Sequence, residues 1–206
     1  MKARSSLLFW LIAPASMALW LILVTPTHWL GIETGAVGTS LLLLTAWVGL
    51  WVSTRIPANK DSTVSPAEVR NAVALFFTLV IAAFLIVKSE AILHAETIAD
   101  LRDVGRTFAM LVIGCAIFSS ILRQRANSGV QEDERDRAVQ AIAGNWAHGA
   151  TCTLVIGIAV TLGLSPAARL AWATPIVIAH LLAFALVVAN LVGCVVGAVH
   201  YRRAAA

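Results

Sequence analysis

Residues 175–199 read PIVIAHLLAFALVVANLVGCVVGAV, and none of these 25 residues is Asp, Glu, Lys or Arg. An α-helix needs about 20 predominantly apolar residues to cross the hydrocarbon core of a bilayer. The run is continuous and does not alternate apolar with polar positions, as the strands of a membrane β-barrel do. It therefore predicts a transmembrane helix.

Five further apolar stretches precede it, at residues 7–24, 36–52, 69–87, 107–122 and 147–164. Charged residues make up only 13% of the 206 positions, whereas a soluble domain carries about 25%. We expect an all-α membrane bundle of six transmembrane helices, arranged as three hairpins, in a single domain over residues 1–206 with no soluble domain. The first stretch follows two basic residues as a secretory signal does, but it is too long for a signal core, and we expect it to be the first helix.

Several helix boundaries carry signals of their own. Ser65, Pro66 and Glu68 have the order of an N-cap, a first-turn proline and an N3 acid, which predicts the start of the third helix. Thr174 before Pro175 predicts the start of the sixth helix in the same way. Pro14 lies within the first helix, where its missing N–H should produce a kink.

The basic residues predict the orientation. Of the 15 Lys and Arg residues, 11 lie on the side that holds both termini and four lie on the other side. Cytoplasmic loops carry the excess of Lys and Arg in membrane proteins. We therefore expect a multi-pass protein of the bacterial inner (cytoplasmic) membrane with both termini cytoplasmic and the lipid bilayer as its surroundings. No basic stripe interleaved with aromatic residues is present, so no nucleic-acid partner is expected.

The most distinctive cytoplasmic segment is QEDERDR at residues 131–137. Charges of alternating sign at this density favour ion pairs along a helix that leads into the fifth span. One interpretation is a docking surface for a cytoplasmic or membrane protein, formed by Glu132, Asp133, Glu134, Arg135, Asp136 and Arg137. The other is a solvated, self-paired helix start that only helps to set the topology.

The sequence Asp-Glu-Arg-Asp-Arg at 133–137, together with the ending Tyr-Arg-Arg at 201–203, resembles a family of small uncharacterised bacterial membrane proteins. Those proteins have paired hairpins, an acidic–arginine motif before a span and a Tyr-Arg-Arg end. The resemblance covers residues 131–203 and implies an inner-membrane protein with six helices, but it implies no activity. The earlier loop at residues 59–63 lacks a second acidic–arginine motif.

Polar residues inside the fifth and sixth spans are the second candidate site. Asn145, His148 and Cys152 share one face of the fifth helix, and Asn190 and Cys194 share one face of the sixth. If these helices form a hairpin that turns near residues 169–170, His148 lies level with Asn190 or residue 191. The cluster would then be either interhelical hydrogen bonding that holds the hairpin together or a pocket for a small ligand or a proton.

A histidine with two thiols also suits a soft metal, but the chain has no Cys-x-x-Cys or His-x-x-x-His. We therefore expect no metal site and no cofactor. Four small residues at intervals of four on the sixth helix predict close packing against another helix of this chain or of a second copy in a homo-oligomer. They are Ala185, Ala189, Gly193 and Gly197.

Several enzyme classes lack their motifs here. The chain has no glycine-rich phosphate loop, no His-Glu-x-x-His and no Gly-x-Ser-x-Gly, and no carboxylate lies deep within a predicted span. The leading hypothesis is a non-enzymatic regulatory or accessory membrane protein that contacts a partner through residues 132–137. The alternative is a small carrier or ligand-binding bundle that uses the polar cluster of the fifth and sixth helices.

Overall fold

The computed structural model describes residues 2–23, 28–29, 31–55, 66–95, 97–127 and 134–205, and this part of the chain is almost entirely helical. Two short 3₁₀ helices (Ile98–Leu101 and Ala167–Arg169) and one antiparallel pair of two-residue strands, β1 (His28–Trp29) and β2 (Ile32–Glu33), connect the helices. The expectation of an all-α protein is confirmed. The α-helices are α1 (Lys2–Leu23), α2 (Thr34–Arg55), α3 (Pro66–Val87), α4 (Ser89–Leu93), α5 (Arg102–Asn127), α6 (Glu134–Leu164) and α7 (Pro175–Ala205).

In the part of the chain that the structure describes, four helical segments are long and apolar enough to cross a membrane, which is consistent with a membrane protein. Two shorter apolar segments, Ala13–Leu23 in α1 and Thr34–Gly49 in α2, overlap the first two predicted spans. The four long segments are Ala67–Val87, Ala99–Leu122, Glu134–Leu164 and Pro175–Arg203.

The helices extend beyond the apolar stretches that predicted them. The largest difference is at α6, which begins at Glu134 although the fifth stretch begins at residue 147. Hydropathy detects only the apolar part of a helix. The residues before 147 continue the same helix but lie outside the apolar stretch. Two acidic residues in its first turn, Glu134 and Asp136, complement the helix dipole.

The signals that predict helix starts coincide with the residues at which α3 and α7 begin. α3 begins at Pro66 with Glu68 in its first turn, while Ser65 lies outside the described residues. At the start of α7, the backbone N–H of Val177 donates to the Thr174 hydroxyl oxygen at 3.3 Å, which is the geometry of an N-cap. Pro14 lies inside α1.

The described chain divides into two compact units. The first contains α1, the β-hairpin, α2 and residues 99–114. Within it, α1 and α2 form an antiparallel hairpin with close backbone approach: a Cβ at Gly38 would lie 2.9 Å from the carbonyl oxygen of Ala18. Arg106 donates to Glu33 at 2.7 Å and so links α5 to strand β2.

The second unit contains α3, α4, residues 115–127 of α5, and the α6–α7 hairpin. α7 packs against both α6 and α3. Phe77 of α3 stacks on Phe118 of α5, with ring centroids 5.7 Å apart. All the side chains of the candidate site belong to this unit.

The small residues of α7 are buried within the second unit. A Cβ at Gly193 would lie 2.9 Å from the Ala147 Cβ and 3.1 Å from the Ala143 carbonyl oxygen, both on α6. A Cβ at Gly197 would lie 2.9 Å from Asn71 Oδ1 on α3. The helices that approach these two glycines therefore belong to the same chain.

Replacing Gly193 by Ala should destabilise the second unit, because the added methyl group meets Ala147 and the α6 backbone. We expect a loss of about 1–3 kcal/mol in the free energy of unfolding, as is typical of overpacking. Gly157→Ala on α6 is the matched control, since a Cβ there has no atom within 4 Å. The measurement is reversible unfolding in mixed detergent–SDS micelles, and equal losses for the two variants would contradict the packing.

Candidate functional site

The charged segment at the start of α6 meets the end of α7. Arg135 Nη2 donates to the carbonyl oxygen of Tyr201 at 3.2 Å. Asp136 is only 5% exposed and lies near the Tyr201 side chain. Beside them, Ala67, Val139 and Tyr201 form a buried apolar cluster that joins α3, α6 and α7. The segment is therefore part of the packed end of the unit.

The segment is not solvated on every side, as the interpretation of a solvated, self-paired helix start would require, because Asp136 is buried. Asp136 shares a helix face with Val139 and Gln140, because residues three and four apart lie on the same side of a helix. That face is directed inward, so Asp136 is buried while Glu134, Arg135 and Arg137 are exposed. Glu132 and Asp133 lie outside the described residues.

The same contacts connect the two motifs behind the family resemblance. The acidic–arginine motif supplies Arg135 and Asp136, and the Tyr-Arg-Arg ending supplies Tyr201, which is 2% exposed. The motifs are 66 residues apart in sequence and adjacent in the structure. In this chain, the two motifs therefore pack against each other.

A polar cleft of 280 Å³ lies among α3, α6 and α7 next to this contact. Small residues of α6 and α7, among them Ala143, Gly193 and Gly197, form much of its wall. Between Asn190 and Tyr201 the α7 backbone rises roughly 16 Å, so the cleft extends well into the helical unit. The polar side chains that line it are Arg70 and Asn71 of α3, Gln140 of α6, and Asn190, Cys194 and Tyr201 of α7.

Two side-chain amides organise the inner part of the cleft. Asn71 Nδ2 donates to the backbone carbonyl of Cys194 at 2.9 Å. Asn190 Nδ2 donates to the Thr78 hydroxyl oxygen at 2.8 Å, and the Cys194 thiol also hydrogen-bonds to Thr78. These bonds join α7 to α3 and hold the cleft walls in a defined register.

The Tyr201 hydroxyl is the unusual group in the cleft. It is buried, and no described group meets it with the geometry of a full hydrogen bond, although Gln140 lies nearby. Burying an unsatisfied hydroxyl costs about 1–3 kcal/mol. A polar ligand group bound in the cleft would recover this cost.

The five polar residues predicted to form one cluster are divided between two places. Asn190 and Cys194 line the cleft and bond to α3. Asn145, His148 and Cys152 are exposed on another face of α6, where His148 Nε2 lies 3.6 Å from Cys152 Sγ.

The register between α6 and α7 agrees with the prediction to within one residue, because Ala147 lies against Gly193. The direction of the polar side chains does not agree with the prediction, because helical period alone does not show which neighbour a face meets. The α3 residues Arg70, Asn71 and Thr78 were missed for the same reason. Their sequence shows polar residues near a helix start and one mid-span threonine, and neither signal identifies α7 as the partner.

Within the described ranges, no group of three His, Cys, Asp or Glu side chains is placed to hold a metal ion. The chain matches no protein-family model, and comparison with curated proteins and with solved structures likewise finds no match. The geometry of the cleft and of the exposed side chains is therefore what indicates a function for this protein.

Proposed function

We propose that this chain is a six-span protein of the bacterial inner membrane, with three helical hairpins and both termini in the cytoplasm. The support is the set of four long apolar helices, the two shorter apolar segments in α1 and α2, and the excess of Lys and Arg on one side. In this orientation the cleft lies toward the cytoplasm, because the starts of α3 and α6 and the end of α7 surround it.

The topology predicts which introduced cysteines a membrane-impermeant maleimide can label in intact cells. In a background without the native cysteines, Thr97→Cys and Ala168→Cys should react from outside. Ser5→Cys and Glu134→Cys should react only after the membrane is permeabilised. External labelling at position 5 or 134 would contradict the proposed orientation.

We infer that the protein binds a small polar ligand in the cleft and does so without catalysis. The observation that supports this most strongly is the buried Tyr201 hydroxyl, which lines the cleft without a full hydrogen bond. Among the described lining residues there is no Asp, Glu or His, so the cleft lacks the side chains that most often act as general acids and bases. Binding is the function that this set of groups supports.

The lining also indicates the class of ligand. Arg70, the amides of Gln140 and Asn190, and the Tyr201 hydroxyl can all donate hydrogen bonds. The volume of 280 Å³ is slightly below the range of about 300–1,000 Å³ that is usual for ligand pockets. The ligand is therefore a small molecule with several hydrogen-bond acceptors, such as a short carboxylate or an amide.

A ligand of this class should raise the thermal stability of the purified protein. At 100 times its dissociation constant the stabilisation would be about 2.7 kcal/mol. Tyr201→Phe removes only a buried hydroxyl that has no full hydrogen bond, so the variant should keep its basal stability while losing most of the ligand-induced shift. The measurement is a thermal-shift screen with small carboxylates, phosphates and amides.

Two asparagines provide a matched comparison for this screen. Asn190→Ala should reduce the ligand-induced shift, because Asn190 lines the cleft. Asn145→Ala should leave the shift unchanged, because Asn145 lies on the exposed face of α6 and lines a different groove. If no compound stabilises the wild-type protein, or if the two asparagine variants behave alike, the cleft is not the binding site.

A regulatory or accessory role through a protein partner is the second candidate function. It is favoured by the exposure of Glu134 and Arg137 beside the buried Asp136, since the packed neighbour holds these charges in fixed positions. Fixed exposed charges provide electrostatic complementarity to a partner.

Charge reversal at Glu134 and Arg137 should then reduce in-cell cross-linking to a partner by about tenfold, while the fold remains intact because both side chains are exposed. Charge reversal at Arg169, in the 3₁₀ helix before α7, is the control at a distant exposed site. An unchanged cross-linking pattern in the double variant would remove this candidate.

A further inference from the structure

The polar cleft among α3, α6 and α7 presents a hydrogen-bond acceptor beside its donors, which narrows the class of ligand that fits it. Asn71 Nδ2 donates to the backbone carbonyl oxygen of Cys194 at 2.9 Å. A carbonyl oxygen can only accept a hydrogen bond, so this contact fixes the orientation of the Asn71 amide. The amide oxygen, Asn71 Oδ1, accepts no hydrogen bond from the described residues.

This amide oxygen is open to the cleft. Asn71 lines the cleft and is half-buried. Among the described residues, the buried side-chain atoms without a hydrogen-bond partner are Glu33 Oε1 and the hydroxyl oxygen of Tyr201, so Asn71 Oδ1 is accessible. Gly197 preserves this access, because a Cβ at that position would lie 2.9 Å from the same oxygen.

The Tyr201 hydroxyl provides a donor close to this acceptor. A helical side chain leans toward the N-terminus of its helix, so the Tyr201 side chain covers the turn of α7 that contains Gly197. Gly197 is also the residue that Asn71 Oδ1 approaches from α3. The Tyr201 hydroxyl, which is buried without a full hydrogen bond, and Asn71 Oδ1 therefore lie at about the same level of α7. Together they form a donor–acceptor pair in the wall of the cleft.

The charges around Tyr201 do not favour an anionic ligand. Three charged side chains act electrostatically on Tyr201, and they are Arg70, Glu68 and Asp136. One of them is a cation and two are carboxylates. An anion bound at the Tyr201 hydroxyl would meet more negative than positive charge, whereas a neutral group avoids this repulsion.

A primary carboxamide matches both groups of the donor–acceptor pair, whereas a carboxylate matches only one. A carboxamide has two N–H donors and a carbonyl acceptor, while an ionised carboxylate has acceptors alone. A carboxylate would therefore direct its lone pairs at Asn71 Oδ1 and leave that oxygen unpaired. A site that hydrogen-bonds the N–H of its ligand discriminates against an analogue that lacks the N–H, because its own polar group is then left without a partner.

We propose that the cleft selects a neutral primary carboxamide, whose N–H donates to Asn71 Oδ1 and whose carbonyl oxygen accepts from the Tyr201 hydroxyl. This selectivity rests on the proposed function, because it specifies the ligand of the same cleft. The body of the ligand lies against small residues of the cleft wall, such as Ala74 of α3 and Ala143 of α6.

Three probes of nearly the same shape test the selectivity on the purified wild-type protein. Benzamide is neutral and has N–H donors, acetophenone is neutral without them, and benzoate is an anion without them. The measurement is equilibrium dialysis of labelled benzamide with the other two as competitors, corrected for protein-free micelles. We expect benzamide to bind at least about tenfold more tightly than either competitor, which is the effect of one hydrogen bond.

Two variants assign the preference to its residues. Asn71→Leu removes the acceptor at nearly constant size, so its affinity for benzamide should fall to that for acetophenone. Tyr201→Phe should weaken all three probes alike, because each of them offers an oxygen to the hydroxyl. Asn145→Ala is the matched control outside the cleft and should change neither the affinities nor their ratio. If Asn71→Leu does not fold, the three-probe comparison and Tyr201→Phe still decide the outcome.

Benzoate or acetophenone binding as tightly as benzamide would refute the carboxamide preference and leave the binding role of the cleft intact. The same conclusion holds if none of the three probes binds while another compound of the thermal-shift screen does. If no compound binds in either experiment, the carboxamide preference and the proposed function are both wrong.

Discussion

The close approach of α7 to α6 and α3 is the constraint on which the second unit depends. Without a hydrophobic driving force between helices in lipid, association depends on packing and on interhelical hydrogen bonds. Gly193 lets α7 reach the backbone of α6, and Gly197 lets it reach Asn71 on α3. This proximity brings Asn71 and Asn190 within hydrogen-bonding distance of Cys194 and Thr78. The cleft is bounded by these same contacts.

Where the start of α6 meets the end of α7 in the second unit, the packing of the two helices fixes the positions of the charged side chains. Asp136 is buried beside Tyr201, and Arg135 of the same helical turn donates to the Tyr201 carbonyl at the C-terminal end of α7. A basic side chain suits the end of a helix, where backbone carbonyls have no partner within the helix. A segment that appears in sequence as a uniform run of alternating charges therefore has a buried side and an exposed side. Only the exposed side is available to another molecule.

The two sides of α6 differ in what they contact. Toward α3 and α7, Gln140 and the small residues around it line a cleft whose polar groups mostly donate hydrogen bonds. On another, exposed face, His148 Nε2 lies 3.6 Å from Cys152 Sγ, and neither side chain lines the cleft. A substitution on the exposed face can therefore be made without altering the groups that line the cleft.

The sequence by itself determined that the chain is helical and apolar enough for a membrane, where α3 and α7 begin, and that residues near 147 and 193 lie level with each other in the α6–α7 hairpin. These properties follow from local rules, since hydropathy, capping residues and hairpin length act within one element or between neighbours in sequence. Only the tertiary structure decided that Asp136 is buried, that Asn190 bonds to Thr78, and that Asn145 is exposed instead of facing α7. Each of these depends on how helices distant in sequence rotate about their axes when they pack. A helical period defines a face, but the helix that meets that face is selected by the shape of the whole unit.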